Sequence, residues 1–445
     1  MAARPFFHKT QKEFFMNKKT LRDVELKGKR VVMRVDFNVP MAKDGSGKIT
    51  DDTRIVAALP SIKYVLEQGG SLVLMSHLGR PKGKGYEPEF TLKPVAEALS
   101  AKLGQEVKFV PDCMAADDVV KALKPGEVAL LENTRFYKAE DGKVKKDDEK
   151  KGIHLTEEEY QQKKAELKTK RQEMAKKLAS YGDLYCNDAF GTAHRAHAST
   201  AVIADYLKPA VSGFLLEKEI QFLGDAVENP VRPFVAILGG AKVSDKLAVV
   251  KALLAKVNTL IIGGGMAYTF KKAQGIKIGN SLCEDDQVAY CKDMLDEAAK
   301  KGVKILLPVD NVIADKFPET KDASDIQMKE CEGDIPDGWM GLDIGPKSVA
   351  IFADALKDAK TVVWNGPMGC FEFAPLSKGT YGVCDAVAKV KANGGVSIIG
   401  GGDSVSAVKK SGKAAEMSHV STGGGASLEF LEGKVLPGVA CLDEK

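Results

Sequence analysis

The sequence predicts an α/β protein of two doubly wound, Rossmann-like parallel-sheet domains, separated by a cleft and joined by a helix. Three observations lead there. Short β-branched runs alternate with helical patterns along nearly the whole chain, most of these runs are apolar without alternation, and 445 residues exceed one ordinary core. Continuous apolar runs mean strands buried on both faces, as in parallel sheets covered by helices. Strand and helix in alternation give βαβ units, and the length gives two domains of roughly 200 residues each.

The chain opens on Met1–Thr20, which carries Arg4, Lys9, Lys12, Lys18 and Lys19 with the pairs Phe6-Phe7 and Phe14-Phe15. A transit peptide would also be basic, but rich in Ser and poor in acid. This stretch contains Glu13 and lacks Ser, so it reads as a basic tail, with organellar import as the alternative. The first strand set follows: Arg30–Asp36, Ser71–His77, Val107–Val110, Glu127–Glu132 and Asp183–Asp188, with a helix at Leu92–Leu103. The segment Lys138–Lys177 stands apart, crowded with charge of both signs, including the run Asp147, Asp148, Glu149, Lys150, Lys151. Within it Thr156 and Glu159 have capping-box spacing and predict a helix start. Tyr160, Leu167, Met174 and Tyr181 recur every seven residues with Leu178 beside them, so this helix reads as a solvated surface element with one packed stripe.

A further helix ends at Asn229-Pro230, where the second strand set begins: Phe234–Leu238, Thr259–Ile262, Val303–Val309, Thr361–Trp364 and Val396–Ile399, with a helix at Asp286–Lys301. The expected domains are 1–205, a hinge helix 206–228, a second domain 229–427, and a tail 428–445 returning to the first.

Composition narrows the function. A net charge of +4 gives no general field for nucleic acid, and Glu interleaved with Lys in the charged segment denies it a one-signed arm. No apolar run approaches the roughly 20 residues of a membrane span. The eight cysteines are scattered without CxxC or zinc-ligand spacing, and Cys186 sits in an apolar run as a buried thiol would. The expectation is a reduced, cytoplasmic protein.

In open parallel sheets ligands bind beyond the carboxyl ends of the strands. The first half delivers Asp36 and Asn38, His77 and Arg80, Arg135, and then His194, Arg195 and His197 to those ends, with Arg54 after a polar turn. Guanidinium forks with Asn and His partners suit a small anion carrying carboxylate and phosphate. His194 is the weakest member, since a loop carbonyl would also satisfy it.

The second half delivers Gly239-Gly240-Ala-Lys242 through Lys246, Gly263 to Gly265, Trp364-Asn365-Gly366-Pro367, and Gly400 to Ser404. Strand-end glycines let a backbone approach a ligand closely, and a helix opening at Asp403-Ser404 would point N–H groups at phosphate. Lys242 and Lys246, four apart on an opening helix, are expected on one face, and Asp403 is expected to hold Mg2+. None of the glycine runs completes G-x-G-x-x-G, and no P-loop, nucleophile elbow or H-E-x-x-H helix occurs. An anion rim and a nucleotide rim together point to phosphoryl transfer, with a scaffold that binds nucleotide without turnover as the rival.

The motifs Arg34-Val-Asp-Phe-Asn-Val-Pro40, Ser76-His-Leu-Gly-Arg-Pro81, the stretch Asn187 to His197, Leu238-Gly-Gly-Ala-Lys242, Trp364-Asn-Gly-Pro367 and Gly400-Gly-Gly-Asp403 resemble the phosphoglycerate kinase family, over about Leu21 to Gly438. The resemblance implies that Asp36, Asn38, Arg54, His77, Arg80, Arg135 and Arg195 hold 3-phosphoglycerate or 1,3-bisphosphoglycerate. It implies that Arg54, Lys242 and Gly402 act on the migrating phosphoryl group. ADP or ATP would be held by Gly240, Lys242, Lys246, Gly264, Asn365, Glu372, Gly400, Gly401, Gly402, Asp403 and Ser404, with Mg2+ on Asp403. It further implies direct in-line transfer with hinge closure, in a monomer without nucleic-acid or membrane partners. Ser404 stands where Thr is more usual, Lys138–Lys177 is longer than in compact members, and the first 15 or so residues are extra.

Overall fold

The computed structural model describes residues 17–148 and 153–445. The basic and aromatic residues expected at positions 4 to 15 and the charges at 149 to 151 lie outside the described residues. Two compact units divide the chain: one takes the described residues up to Gln221 together with Val435–Lys445, the other Phe222–Lys434. The expected limits were 205, 228 and 427.

The first unit is built on β1 (Arg30–Val35), β2 (Ser71–Met75), β3 (Val107–Val110), β4 (Val128–Leu131), β5 (Leu184–Asp188) and β6 (Ala210–Ser212). All six are parallel, in the order β3-β4-β2-β1-β5-β6. Every residue of β2, β4 and β5 is buried, as the unalternating runs require. β6 is three residues long beside Pro209, too short to leave a sequence pattern. Helices α1 (Thr53–Glu67) and α2 (Lys93–Leu103) cover one face, where Ile55, Ile62, Val95 and Leu99 pack with Val31, Met33, Leu72 and Leu74.

Helix α3 (Glu157–Ala179) starts at Thr156, and both halves of the capping box form: Glu159 N donates to Thr156 Oγ1 at 3.2 Å and Thr156 N to Glu159 Oε2 at 2.9 Å. The seven-residue stripe packs at one end only. Met174, Ala175, Leu178 and Ala179 are buried, whereas Tyr160 and Leu167 are half-buried. Tyr181 lies past the helix end, buried, its hydroxyl accepting from Ala116 N at 3.1 Å. Before α3, Asp147–Asp148 pair antiparallel with Ile153–His154, strands that the charged run gave no reason to expect. Helix α4 (Phe214–Glu228) then ends just before Asn229-Pro230, as read.

The second unit holds β7 (Phe234–Leu238), β8 (Thr259–Ile262), β9 (Lys304–Leu306), β10 (Asp310–Ala314), β11 (Met328–Glu332), β12 (Met340–Ile344), β13 (Thr361–Asn365), β14 (Val396–Gly400) and β15 (His419–Val420). Its main sheet is parallel in the order β9-β8-β7-β13-β14-β15. β9 is shorter than the expected Val303–Val309, because Pro308 cannot continue a ladder. β11-β10-β12 form a separate antiparallel sheet. Sequence reading missed it because β11, largely exposed as Met328-Lys-Glu-Cys-Glu332, has no apolar run. All eight cysteines are free thiols, Cys186 among the buried ones. Among the described residues, no helix is long and apolar enough to cross a membrane.

Asp343, at the end of β12, accepts from Gly379 N at 2.8 Å and Ile344 N at 2.9 Å. Burial outweighs these donors and pushes its pKa up to about 7. The native state therefore keeps a proton that the unfolded chain has lost between about pH 4 and pH 7, so stability falls as pH rises through that window. Asp343→Asn protein is expected to lose less stability than the parent between about pH 5 and pH 8. Urea denaturation of both proteins at each pH checks this, and equal losses would remove Asp343 as the cause.

Candidate active site

In the first unit the carboxyl ends of β1, β2, β4 and β5 lie side by side and lead into the expected residues. Asp36, one residue past β1, is buried and accepts from Arg54 Nη1, in the first turn of α1, at 3.0 Å. His77 Nδ1 lies 3.9 Å from the same carboxylate oxygen. Asn38 Oδ1 accepts from Gly79 N at 2.8 Å, and Arg135 Nη1 donates to Gly79 O at 2.9 Å. The turn carrying Arg80 is thereby tied to its neighbours. Arg80 itself is exposed and Arg195 half-buried.

Electrostatics explains what these ends lack. Burial, reinforced by Arg34 and Arg195, pushes the Arg135 pKa down to about 10, with Glu140 and Asp36 opposing. Burial holds His77 well below its ordinary value, with Arg34, Arg135 and Arg54 adding to the effect; burial with Arg195, Lys143 and Arg135 brings His194 down to about 4, and burial with Arg135, Arg34 and Arg195 depresses His197. The histidines are neutral at pH 7, and both ring nitrogens of buried His197 have no hydrogen-bond partner among the described residues. So many cations around so few carboxylates suit an anion.

Sequence reading missed three members of this cluster. Arg34 is fully buried within β1, where it passed as part of an apolar run. Ser199 and Glu140 lie beneath it, and Glu140 was absorbed into the charged segment opening at Lys138. An arginine in the interior of a strand, between Met33 and Val35, was the available signal.

In the second unit the loops after β7, β8 and β13 pack on one another, and glycine is the condition for it. A Cβ on Gly239 would stand 2.0 Å from Pro367 O. A Cβ on Gly366, at φ +101°, would stand 2.2 Å from Gly239 O. Lys246 binds these loops together, donating to Gly239 O, to Asn365 O at 2.8 Å and to Asn365 Oδ1 at 2.9 Å. Burial lowers its pKa to about 8, so it remains an ammonium at pH 7. The expectation that Lys242 and Lys246 share one helix face is corrected. Residues Ser244–Lys246 form a 3₁₀ turn, α5 (Leu247–Leu254) begins beyond them, Lys246 turns inward and Lys242 is exposed.

Helix α6 (Gly402–Lys410) starts one residue before the expected Asp403, after Gly401 in the left-handed region at φ +87°. Gly400 and Gly401 lie beside Asn365, whose buried Nδ2 has no partner among the described residues. Ser404 is buried and its Oγ accepts from Gly366 N, while Asp403 is exposed. A cavity of about 650 Å³ opens here, lined by Gly240, Gly264, Leu282, Met340, Gly341 and, at polar positions, Glu372 and Asp403. Phe317 and Phe373, in edge-to-face contact at 5.7 Å, also line it. The apolar wall residues Leu282, Met340 and Phe317 escaped sequence reading because they belong to no glycine motif.

Among the described residues no cluster of three or more His, Cys, Asp or Glu side chains could hold a metal. A single exposed carboxylate, Asp403, beside a helix N-terminus fits a cation coordinated mainly by phosphate oxygens and water.

Comparison with known proteins bears on the family of the chain as a whole. A family model described as phosphoglycerate kinase matches residues 21–434. The chain is 53% identical over 435 residues to the phosphoglycerate kinase of Clostridium novyi, covering 97% of this chain and 100% of that one. It is likewise 53% identical over 433 residues to that of Leuconostoc mesenteroides, covering 97% and 100%. Among solved structures, phosphoglycerate kinase from Coxiella burnetii matches with a TM-score of 0.79 at 41% identity, over 95% of this chain and 98% of that chain. The Pyrococcus horikoshii enzyme matches with 0.76 at 32%, with the same coverage.

Proposed function

The chain belongs to the phosphoglycerate kinase family, and from that premise we propose that its two strand-end sites divide the substrates between them. The reaction is the glycolytic transfer of a phosphoryl group from 1,3-bisphosphoglycerate to ADP, giving 3-phosphoglycerate and ATP.

In the proposed assignment Asp36, Asn38, Arg54, His77, Arg80, Arg135 and Arg195 hold the glycerate phosphate. The observation that carries it is the crowding of guanidinium groups around neutral histidines, which leaves room for an anion's charge. The cavity beside Gly240, Gly264 and Glu372 takes the nucleoside. Asn365, Gly400, Gly401 and Gly402 meet its phosphates, a role supported by the unpartnered Asn365 amide. Lys246 and Ser404 contribute from beneath, by holding the phosphate-facing loops in register. Asp403 would hold Mg2+, which when bound neutralises phosphate charge.

A β-phosphate oxygen of ADP attacks the acyl phosphorus in line, the bond to the acyl oxygen breaks, and the carboxylate of 3-phosphoglycerate leaves. No covalent enzyme intermediate is required. Lys242, Arg54 and the Gly402 amide stabilise the charge on the three equatorial oxygens. Water competes for an acyl phosphate, so the reading includes hinge closure as the step that excludes it. A cytoplasmic monomer acting on small molecules, without nucleic-acid or membrane partners, completes it; a net charge of only +4 supports this.

ATP-dependent phosphorylation of 3-phosphoglycerate, coupled to NADH oxidation by glyceraldehyde-3-phosphate dehydrogenase, tests the assignment. Turnover is expected to require Mg2+. His77→Gln and Arg80→Ala are expected to raise KM for 3-phosphoglycerate by roughly tenfold or more and to spare KM for ATP. An unchanged KM for 3-phosphoglycerate in both variants would refute the anion site. Folded, nucleotide-binding protein without turnover would favour the scaffold reading.

A further inference from the structure

Arg34 is a fully buried guanidinium in a strand whose other buried side chains are apolar. Its Nε donates to Ser199 Oγ at 2.9 Å, its Nη1 to Val35 O, and its Nη2 lies 3.1 Å from His77 Nδ1. Behind Ser199 stands Glu140, also fully buried. Its carboxylate accepts from the Ser199 hydroxyl and, at 3.0 Å, from the Ser199 N–H. The hydroxyl thus accepts from a cation and donates to an anion, which fixes its rotor and joins the two charges without a direct ion pair.

Such an arrangement dictates the state of the imidazole. A guanidinium has five donors, no acceptor, and does not lose its charge in proteins. Across the Arg34–His77 contact the ring must therefore accept at Nδ1, and its hydrogen must sit on Nε2. An imidazolium would set two donors against each other. The surroundings agree: Arg34, Arg54, Arg135 and His197 all face His77, and the Asp36 oxygen 3.9 Å from Nδ1 is already engaged by Arg54.

We propose that Arg34, held by Ser199 and Glu140, is a positioning residue that fixes His77 as its neutral Nε2–H tautomer. The ring then offers one directed N–H to the anionic substrate without adding another buried charge to a rim already crowded with arginine. This rests on the reading of His77 as a substrate-binding residue. Arg34, Ser199 and Glu140 do not touch substrate in this scheme; they act through the imidazole.

Selective 15N labelling of histidine in the full chain, with His77→Gln to assign the resonance, reads the tautomer directly. At pH 7 His77 is expected to show a pyrrole-type Nε2 and a pyridine-type Nδ1. Ser199→Ala removes the link to Glu140. It is expected to shift His77 toward a tautomer mixture and to raise KM for 3-phosphoglycerate about three- to tenfold, with kcat and KM for ATP within about twofold. An imidazolium or Nδ1–H form in the parent protein would overturn the proposal whether or not any variant folds. So would a Ser199→Ala protein with unchanged tautomer and unchanged KM. If His77→Gln itself left KM for 3-phosphoglycerate unchanged, the substrate-site reading would fall instead, while the parent spectrum would still judge the tautomer.

Discussion

Lys242→Ala is expected to lower kcat by roughly 10²–10³ or more while leaving KM for ATP within about threefold. Transfer of a phosphoryl group through a loose transition state leaves little for a protein to do besides positioning and neutralising charge. Lys242 follows the Gly239-Gly240-Ala241 turn that edges the proposed nucleotide cavity, and its side chain is exposed. The neighbouring lysine cannot substitute for it. Lys246 spends its three protons on Gly239 O, Asn365 O and Asn365 Oδ1, and its displacement would unpair two strand ends. The nucleotide keeps its apolar cavity in the variant, so binding should survive while the chemical step slows. Steady-state kinetics with ATP and 3-phosphoglycerate varied separately decides it. A kcat within twofold of the parent would remove Lys242 from the phosphoryl-transfer step.

The second large effect is expected from a single methyl group. Gly239→Ala would place its Cβ 2.0 Å from Pro367 O and 2.6 Å from Gly366 O, with Met368 Cε at 2.8 Å. Two of these three are backbone atoms of the loop after β13, which cannot rotate away as a side chain could. Relief requires the ends of β7 and β13 to part, which breaks the Gly239 N to Asn365 O hydrogen bond at 3.0 Å and strains the Lys246 clamp. Overpacking of this kind costs about 1–3 kcal/mol or more, and here it opens the floor of the proposed nucleotide site as well. The expected result is a lower urea midpoint together with weakened ATP binding in a titration. Gly402→Ala is the control for stability: a Cβ there meets nothing within 4 Å, and the residue opens a helix. Equal stability of the Gly239→Ala and parent proteins would mean that the loops part freely.

The fold was legible wherever burial was two-sided. β7 and β8 begin and end at the residues read from the sequence, because an apolar run with no alternation has one explanation. β11 and the pair at Asp147–Asp148 and Ile153–His154 were not legible, since strands held by ladder hydrogen bonds at a surface need no hydrophobic signature. The same division runs through the candidate site. Glycines and arginines at strand ends announced themselves, because those residue types have few other reasons to gather there. Glu140 and Ser199 did not, since their role lies in what they hold still. Lys246 was seen but misread: spacing placed it four residues from Lys242 on a helix, and a 3₁₀ turn at Ser244–Lys246 sent it the other way.

The membership of Val435–Lys445 in the first unit carries a consequence for how the chain is made. The second unit is one uninterrupted stretch, whereas the first is closed by a segment synthesised only after the whole second unit. Asn187 Nδ2 donates to Gly438 O at 2.7 Å, Lys19 N donates to Asp443 O at 2.8 Å, and Leu436, Val439 and Leu442 are buried. None of these groups has its partner while the segment 435–445 is still inside the ribosome. Translation order and completion order are therefore reversed: the segment that emerges first is the last to be finished. Over the interval between, the end of β5 near the anion site lacks its C-terminal cover. A chain cut before Val435 would carry an intact second unit and a first unit missing those bonds.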